Sequence, residues 1–327
     1  MVKQELKKML EKQNYGIVGN NSAVKICTWT KKSLRDEDFC YKQKFYGIRS
    51  HLCCQMTPAL DYCPNSCLFC WRAVELTSGA MMEKAEDEPE EIIKGCIEGQ
   101  RKLLSGFPGN AKANQKKVRE SMEPMHFAIS LAGEPTSYPK LDELIGLLHK
   151  KGKTTFLVTN GQFPEKIKSL KNLPTQLYIS LIAPDEETYK KTAAPVFRDA
   201  WSRLSQSLKI MAELRGKTRT VIRMTLVKGL NMHSPEKYAE LIKTANPLFV
   251  EAKAYMYVGY SRQRLKIENM PRHSEILEFS KEIARHSGYK IIDEKENSRV
   301  VLLMQKDFSG RIMKFPENHK NPLSANF

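Results

Sequence analysis

The sequence predicts an α/β fold, a partial barrel of about six β/α units preceded by an N-terminal extension. Three observations lead there. From Glu88 onward, short apolar runs alternate with amphipathic stretches of helical period, which implies right-handed βαβ units and a parallel sheet. The 327 residues are enough to bury one large α/β core. Seven of the eight cysteines fall between Cys27 and Cys70, so the thiols gather at one end, ahead of the alternating region.

Taken in order, residues 1–55 form the extension, which opens with a short amphipathic helix in which Leu6, Met9 and Leu10 share a face. Residues 56–290 form the expected barrel core, and residues 291–327 an edge strand and tail. Helical periodicity runs from Glu88 to Leu104, with Ile92, Ile93, Cys96 and Ile97 on one side. The stretch from Phe107 to Glu123 is basic and poor in large apolar residues, so it reads as a loop or an exposed helix. Strands are expected at 125–131, 154–159, 176–181, 220–226 and 249–255. Helices are expected at 141–150, 164–170, 185–189, 199–215, 235–245 and 273–286, with an edge strand at 289–293.

Lysine and arginine number 53 against 37 aspartates and glutamates, a net charge of +16. Such an excess on an enzyme-sized chain points to a polyanionic partner, of which nucleic acid is the commonest. A hydrophobic content of 41% beside 28% charged residues excludes a disordered chain. No stretch approaches the roughly 20 apolar residues of a membrane span. The first residues, Met-Val-Lys-Gln-Glu-Leu-Lys-Lys, lack the apolar region of a secretory signal, so the expected location is the cytoplasm. Cysteines gathered in one part of such a chain point to metal or cluster ligation rather than a disulfide scaffold.

Cys63, Cys67 and Cys70 stand in a CxxxCxxC spacing. Three thiolates so placed can surround one face of an iron–sulfur cube and leave its fourth iron free for a substrate or cofactor. A zinc site would pair two CxxC knuckles or add histidines, and no second knuckle exists. Ala132-Gly133-Glu134-Pro135 ends the first strand after this loop, Thr159-Asn160-Gly161 closes the next, and Ser180 ends the one after. Barrel-like α/β folds place their ligands over those strand ends. Upstream, Cys27, Cys40 and Cys53 each lie 13 residues from the next, with Cys54 an extra thiol beside the third. Even spacing of this kind is no general metal motif. Glu251 and Lys253 share a face of a late strand, where they face a barrel mouth or pair with each other; Arg223 and Asn231 occupy similar ground. Two basic stretches, Lys112, Lys116, Lys117 and Arg119, then Arg262, Arg264 and Lys266, suit RNA phosphates. Tyr255, Tyr257 and Tyr260 precede the second and read equally as base-stacking or core residues.

With Phe69 before its last cysteine, the CxxxCxxC loop resembles that of the radical S-adenosylmethionine (SAM) superfamily, and Gly133-Glu134 resembles its GGE motif with Ala132 for the first glycine. From about Cys27 to Tyr260, the cysteine triplets, the 41–58 linker and the Cys-Leu-Phe-Cys-Trp-Arg run resemble the archaeal tRNA 4-demethylwyosine synthases. The resemblance implies the partial (β/α)6 TIM-type barrel of the superfamily with a cluster-binding N-terminal extension. It implies two 4Fe–4S clusters, one on Cys63, Cys67 and Cys70 and one on Cys27, Cys40 and Cys53. SAM is the implied cosubstrate, contacted by Gly133, Glu134, Asn160 and Ser180. The implied activity is that of a carbon–carbon lyase on tRNA-Phe carrying N1-methylguanosine. A radical derived from SAM takes hydrogen from the N1-methyl group, and pyruvate supplies two carbons of the tricyclic base. Lys42 is the implied Schiff-base lysine. A separate donor such as a flavodoxin or ferredoxin is expected to supply electrons to a monomer.

Overall fold

Ten strands make one sheet within the described part of the computed structural model, which comprises Val2 and residues 4–315. They are β1 (Gly16–Val18), β2 (Ser22–Lys25), β3 (Cys53–Thr57), β4 (His126–Ile129), β5 (Thr154–Thr159), β6 (Gln176–Ser180), β7 (Arg219–Leu226), β8 (Phe249–Ala254), β9 (Lys290–Lys295) and β10 (Val300–Met304). Their order is β1-β2-β3-β4-β5-β6-β7-β8-β10-β9. Strands β3 to β8 run parallel, six in all, and antiparallel pairs finish both edges. The order does not return on itself, so the barrel is open, with β3 and β8 as its first and last parallel strands.

Helices α1 (Gln4–Lys12), α2 (Thr28–Leu34) and α3 (Tyr41–Tyr46) belong to the N-terminal region. The outer layer comprises α4 (Pro89–Leu103), α5 (Gln115–Ser121), α6 (Leu141–Lys150), α7 (Pro164–Ser169), α8 (Glu186–Ala193), α9 (Ala200–Leu214), α10 (Pro235–Ala245) and α11 (His273–Ser287). Their stops are local. Pro89, Pro164 and Pro235 sit in first turns, where the missing N–H costs nothing. Asp185 caps α8 by accepting from Thr188 N at 2.9 Å, and Gly288 closes α11 in the left-handed region at φ 78°. The outer core packs Ile92, Ile93, Leu144, Leu148, Leu208, Met211, Ile276 and Ile283 against the sheet. A second core fills the barrel: Tyr41, Phe45 and Tyr46 of α3 meet Phe156, Tyr178, Val221 and Phe249 near the starts of β5 to β8. α3 therefore plugs the N-terminal end of the barrel, opposite the strand ends that carry the motifs.

The structure adds elements that the sequence pattern concealed. Cys53–Thr57 is the first parallel strand, although two cysteines and Gln55 break its apolar pattern; β2 and β4 on either side specify it instead. β10 lies between β8 and β9, so 290–295 is the edge strand and the wholly buried Val-Val-Leu-Leu-Met run lies inside it. The 107–123 stretch contains α5, whose Val118 is buried against Ile26 and Leu34. The last part of the expected tail, from residue 316, lies outside the described residues. No helix among those described is long and apolar enough to cross a membrane.

Candidate active site

The CxxxCxxC loop leaves the C-terminal end of β3 and is held from both sides. Cys63 N donates to Gly79 O at 2.9 Å, Ser66 N to Ala193 O at 2.8 Å and Leu68 N to Thr192 O at 3.0 Å, the last two at the end of α8. Asn65 donates to the Tyr189 hydroxyl at 3.1 Å. Burial, then the neighbouring thiols Cys63 and Cys70, pushes the Cys67 thiol well up. Burial raises Cys63 to about 11, with Arg72 opposing. Burial works against the Arg72 charge, yet Cys70 and Cys63 outweigh it and hold that guanidinium above its ordinary pKa. The Asn160 side-chain amide donates to Cys63 Sγ at 3.7 Å.

This donor set fits a thiolate-bound cube. Burial raises the Cys63 and Cys67 thiols, a guanidinium offsets them, and an amide N–H points at one sulfur. Among the described residues no three His, Cys, Asp or Glu side chains converge on a point where one metal ion would sit. A cube differs in that its cysteines bind separate irons.

Gly133 sits at φ +67°, and a Cβ there would lie 1.7 Å from Ala59 O. The 132–134 turn thus packs directly on the stem of the cysteine loop, with Glu134 N donating to Tyr62 O at 2.7 Å. Glu134 is buried, and its carboxylate accepts from Thr136 N (3.0 Å), Thr136 Oγ1 (2.5 Å), Thr159 Oγ1 (2.6 Å) and Asn160 N (2.7 Å). Burial raises its pKa against these four donors. The side chain therefore ties the ends of β4 and β5 together, and the turn's backbone is what remains for a ligand. Gly133, Glu134 and Asn160 are brought to the cysteine loop; Ser180 stands one strand farther, opposite Arg223 of β7. Gly133→Ala is expected to cost more than about 2 kcal/mol, because a left-handed backbone and a backbone clash must both be relieved. Urea unfolding measures it, and a wild-type midpoint would contradict it.

The upstream cysteines also meet. Cys27 precedes α2, Cys40 precedes α3, and Cys53 opens β3. Burial and then Cys27 raise the Cys40 thiol to about 11. The same causes, with Cys40 added, push Cys53 higher. Alternation along β3 sends Cys54 the other way, into the outer core beside Cys96 and Phe127. Lys42 is only 8% exposed, and its amine lies 4.4 Å from the Tyr178 ring and 5.4 Å from that of Phe156. The amine makes no hydrogen bond or ion pair with a described residue. Burial holds its pKa below the usual lysine value, with Glu251 opposing and Arg223 reinforcing.

Glu251 is fully buried and accepts from the Tyr41 and Tyr46 hydroxyls, each at 2.8 Å, so it pairs with tyrosines of the plug rather than with Lys253. Lys253 donates to Ser298 O, and burial followed by Arg223 lowers it to about 8. The Arg223 guanidinium has no hydrogen-bonding partner among the described residues. Three basic side chains thus surround one carboxylate at the upstream thiols, and this surplus suits anionic ligands. Asn231 is structural: it donates to Ile182 O and Thr225 O, both at 2.8 Å.

Of the residues expected to meet RNA, Lys117 pairs with Asp36, while Lys112, Lys116 and Arg119 stay exposed. Tyr255 is a core residue bonded to Ser261. Tyr257 carries Arg262 over its ring at 5.2 Å, with Lys266 exposed nearby in sequence. Arg264 turns inward instead, toward the cysteine loop. The sequence reading missed Arg72, although it lies within the motif run, and the tyrosines that hold Glu251, which no local pattern marks.

Residues 58–242 match the Radical SAM superfamily, and residues 244–305 match the family described as wyosine base formation. The chain is 53% identical over 308 residues to the S-adenosyl-L-methionine-dependent tRNA 4-demethylwyosine synthase of Pyrococcus abyssi, covering 93% of this chain and 90% of that one. It is equally similar, at the same coverage, to the protein of that name from Pyrococcus horikoshii. A solved structure of TYW1 with a lysine-pyruvate adduct bound superposes with a TM-score of 0.84 at 40% identity, over 93% of this chain and 97% of that one.

Proposed function

The chain belongs to the tRNA 4-demethylwyosine synthases, radical SAM enzymes of the wyosine pathway, and from that premise we propose how its residues divide the work. Cys63, Cys67 and Cys70 hold the SAM-cleaving 4Fe–4S cluster, and Cys27, Cys40 and Cys53 hold a second. The first supplies, when bound, the electron that breaks SAM into methionine and a 5′-deoxyadenosyl radical. The Gly133 turn and Asn160 receive SAM beside that loop, with Ser180 at the next strand end. The radical is directed at the N1-methyl group of N1-methylguanosine in tRNA-Phe, and pyruvate supplies the added carbons. A flavodoxin or ferredoxin supplies the electrons, and the chain works as a monomer in the cytoplasm.

One observation carries the pyruvate reading. A buried lysine amine, Lys42, lies on two aromatic faces without a hydrogen-bonded acid and beside Cys40 and Cys53. Such an amine is disposed to attack a keto carbon, expelling water to form an imine. The relative solved with a lysine-pyruvate adduct supports this chemistry. The unpartnered Arg223 guanidinium faces the same space and suits the carboxylate of pyruvate.

Anaerobic reconstitution with SAM, dithionite, pyruvate and N1-methylguanosine tRNA is expected to yield 4-demethylwyosine by nucleoside mass analysis. Borohydride is expected to trap labelled pyruvate on a peptide containing Lys42, and the Lys42→Met variant is expected to trap none while still cleaving SAM. Label on another lysine would overturn the assignment.

A further inference from the structure

The parallel strands begin with β3 and end with β8, and nothing in the sheet joins these two strands directly. The turn after β8 crosses that gap. Arg264 reaches from it into the cysteine loop: Nε donates to Leu68 O at 3.3 Å, and Nη2 donates to Arg72 O at 3.1 Å and also to Cys70 O. Its Nη1 pairs with Glu75 at 3.0 Å. The side chain is 14% exposed. Two backbone features bring the turn this close. Tyr260 N donates to Trp71 O at 3.0 Å, and Gly259, at φ +60°, would place a Cβ 2.6 Å from the same oxygen. The outward side of the turn carries Arg262 and Lys266, both exposed.

We infer that Arg264 is a positioning residue that clasps the cysteine loop across the open side of the barrel and takes no part in holding tRNA phosphates. The carbonyls of Leu68, Cys70 and Arg72 all turn toward Arg264, and each needs a donor. Water would satisfy them without fixing the loop. One guanidinium satisfies all three in a fixed planar arrangement, and Glu75 holds it there. A lysine ammonium cannot span these acceptors. The inference rests on Cys63, Cys67 and Cys70 being the cluster ligands, and part of the test does not depend on that assignment.

The test compares Arg264→Gln, Arg264→Lys, Glu75→Gln and Arg262→Gln in the reconstituted full chain. Amide hydrogen exchange over residues 67–72 is expected to accelerate at least about tenfold in Arg264→Gln, less in Arg264→Lys, and little in Glu75→Gln. Chelator-driven iron release is expected to quicken in the same order. The salt dependence of tRNA affinity should match wild type in both Arg264 variants and lose about one unit of slope in Arg262→Gln. Circular dichroism melting checks folding; if Arg264→Gln fails to fold, Arg264→Lys carries the comparison. Wild-type exchange over 67–72 in both Arg264 variants would overturn the clasp, as would a reduced salt slope in Arg264→Gln. Faster exchange with unchanged iron release would retain the clasp and overturn the assignment of Cys63, Cys67 and Cys70 as the ligands it serves.

Discussion

Replacing Cys63, Cys67 or Cys70 singly by alanine is expected to abolish dithionite-dependent formation of 5′-deoxyadenosine, with no loss of overall fold. The two halves of that expectation have separate causes. The loop's path is set by backbone contacts to Gly79 and to the end of α8, and by Arg264, none of which involves a thiol. On the proposed assignment the cluster depends on the thiols alone. As proposed ligands they have no substitute nearby, because Asn160 and Arg72 offer donors and no anionic acceptor. A cube held by only two cysteines would be labile and would not sustain SAM cleavage. Anaerobic chromatographic assay of 5′-deoxyadenosine measures the effect. Continued cleavage by any of the three reconstituted variants would remove that cysteine from the ligand set.

Much of the fold was legible because its strands are buried on both faces. Parallel strands covered by helices read as apolar runs, and β5, β6, β7 and β8 fall within two residues of their expected bounds. Legibility failed where a candidate ligand occupies a strand. β3 spends its first position on Cys53 and so loses the apolar pattern, though its pairing with β4 from Cys53 to Met56 is regular. The site divides in the same way. CxxxCxxC is a local spacing and can be read directly, whereas Arg264 lies 194 residues from the Cys70 carbonyl it holds. Its place in a basic stretch suggested RNA instead. Glu134 was found by motif, but its carboxylate binds protein donors, a role that only the neighbouring strand end reveals.

On the proposed reading, the upstream thiols carry a second cluster that sets this chain's chemistry apart from SAM cleavage alone. Replacing Cys27, Cys40 and Cys53 together by alanine is expected to lower bound iron from about eight to about four per chain, as for the loss of one of two cubes. SAM cleavage should persist, because β3 is fixed by backbone pairing to β2 and β4, and the CxxxCxxC loop keeps its own ligands. Tricyclic base should not form. The physical ground is the charge balance inside the barrel. Lys42, Arg223 and Lys253 face one carboxylate, Glu251, which two tyrosines already occupy. Removing an anionic thiolate-bound group would leave this basic surplus uncompensated, and Lys42 without the partner beside which pyruvate is presented. Iron analysis, 5′-deoxyadenosine yield and nucleoside mass are read on the same preparation. Iron near four with wild-type 4-demethylwyosine would show the second set of thiols to be dispensable. Iron still near eight would move the second cluster to other ligands.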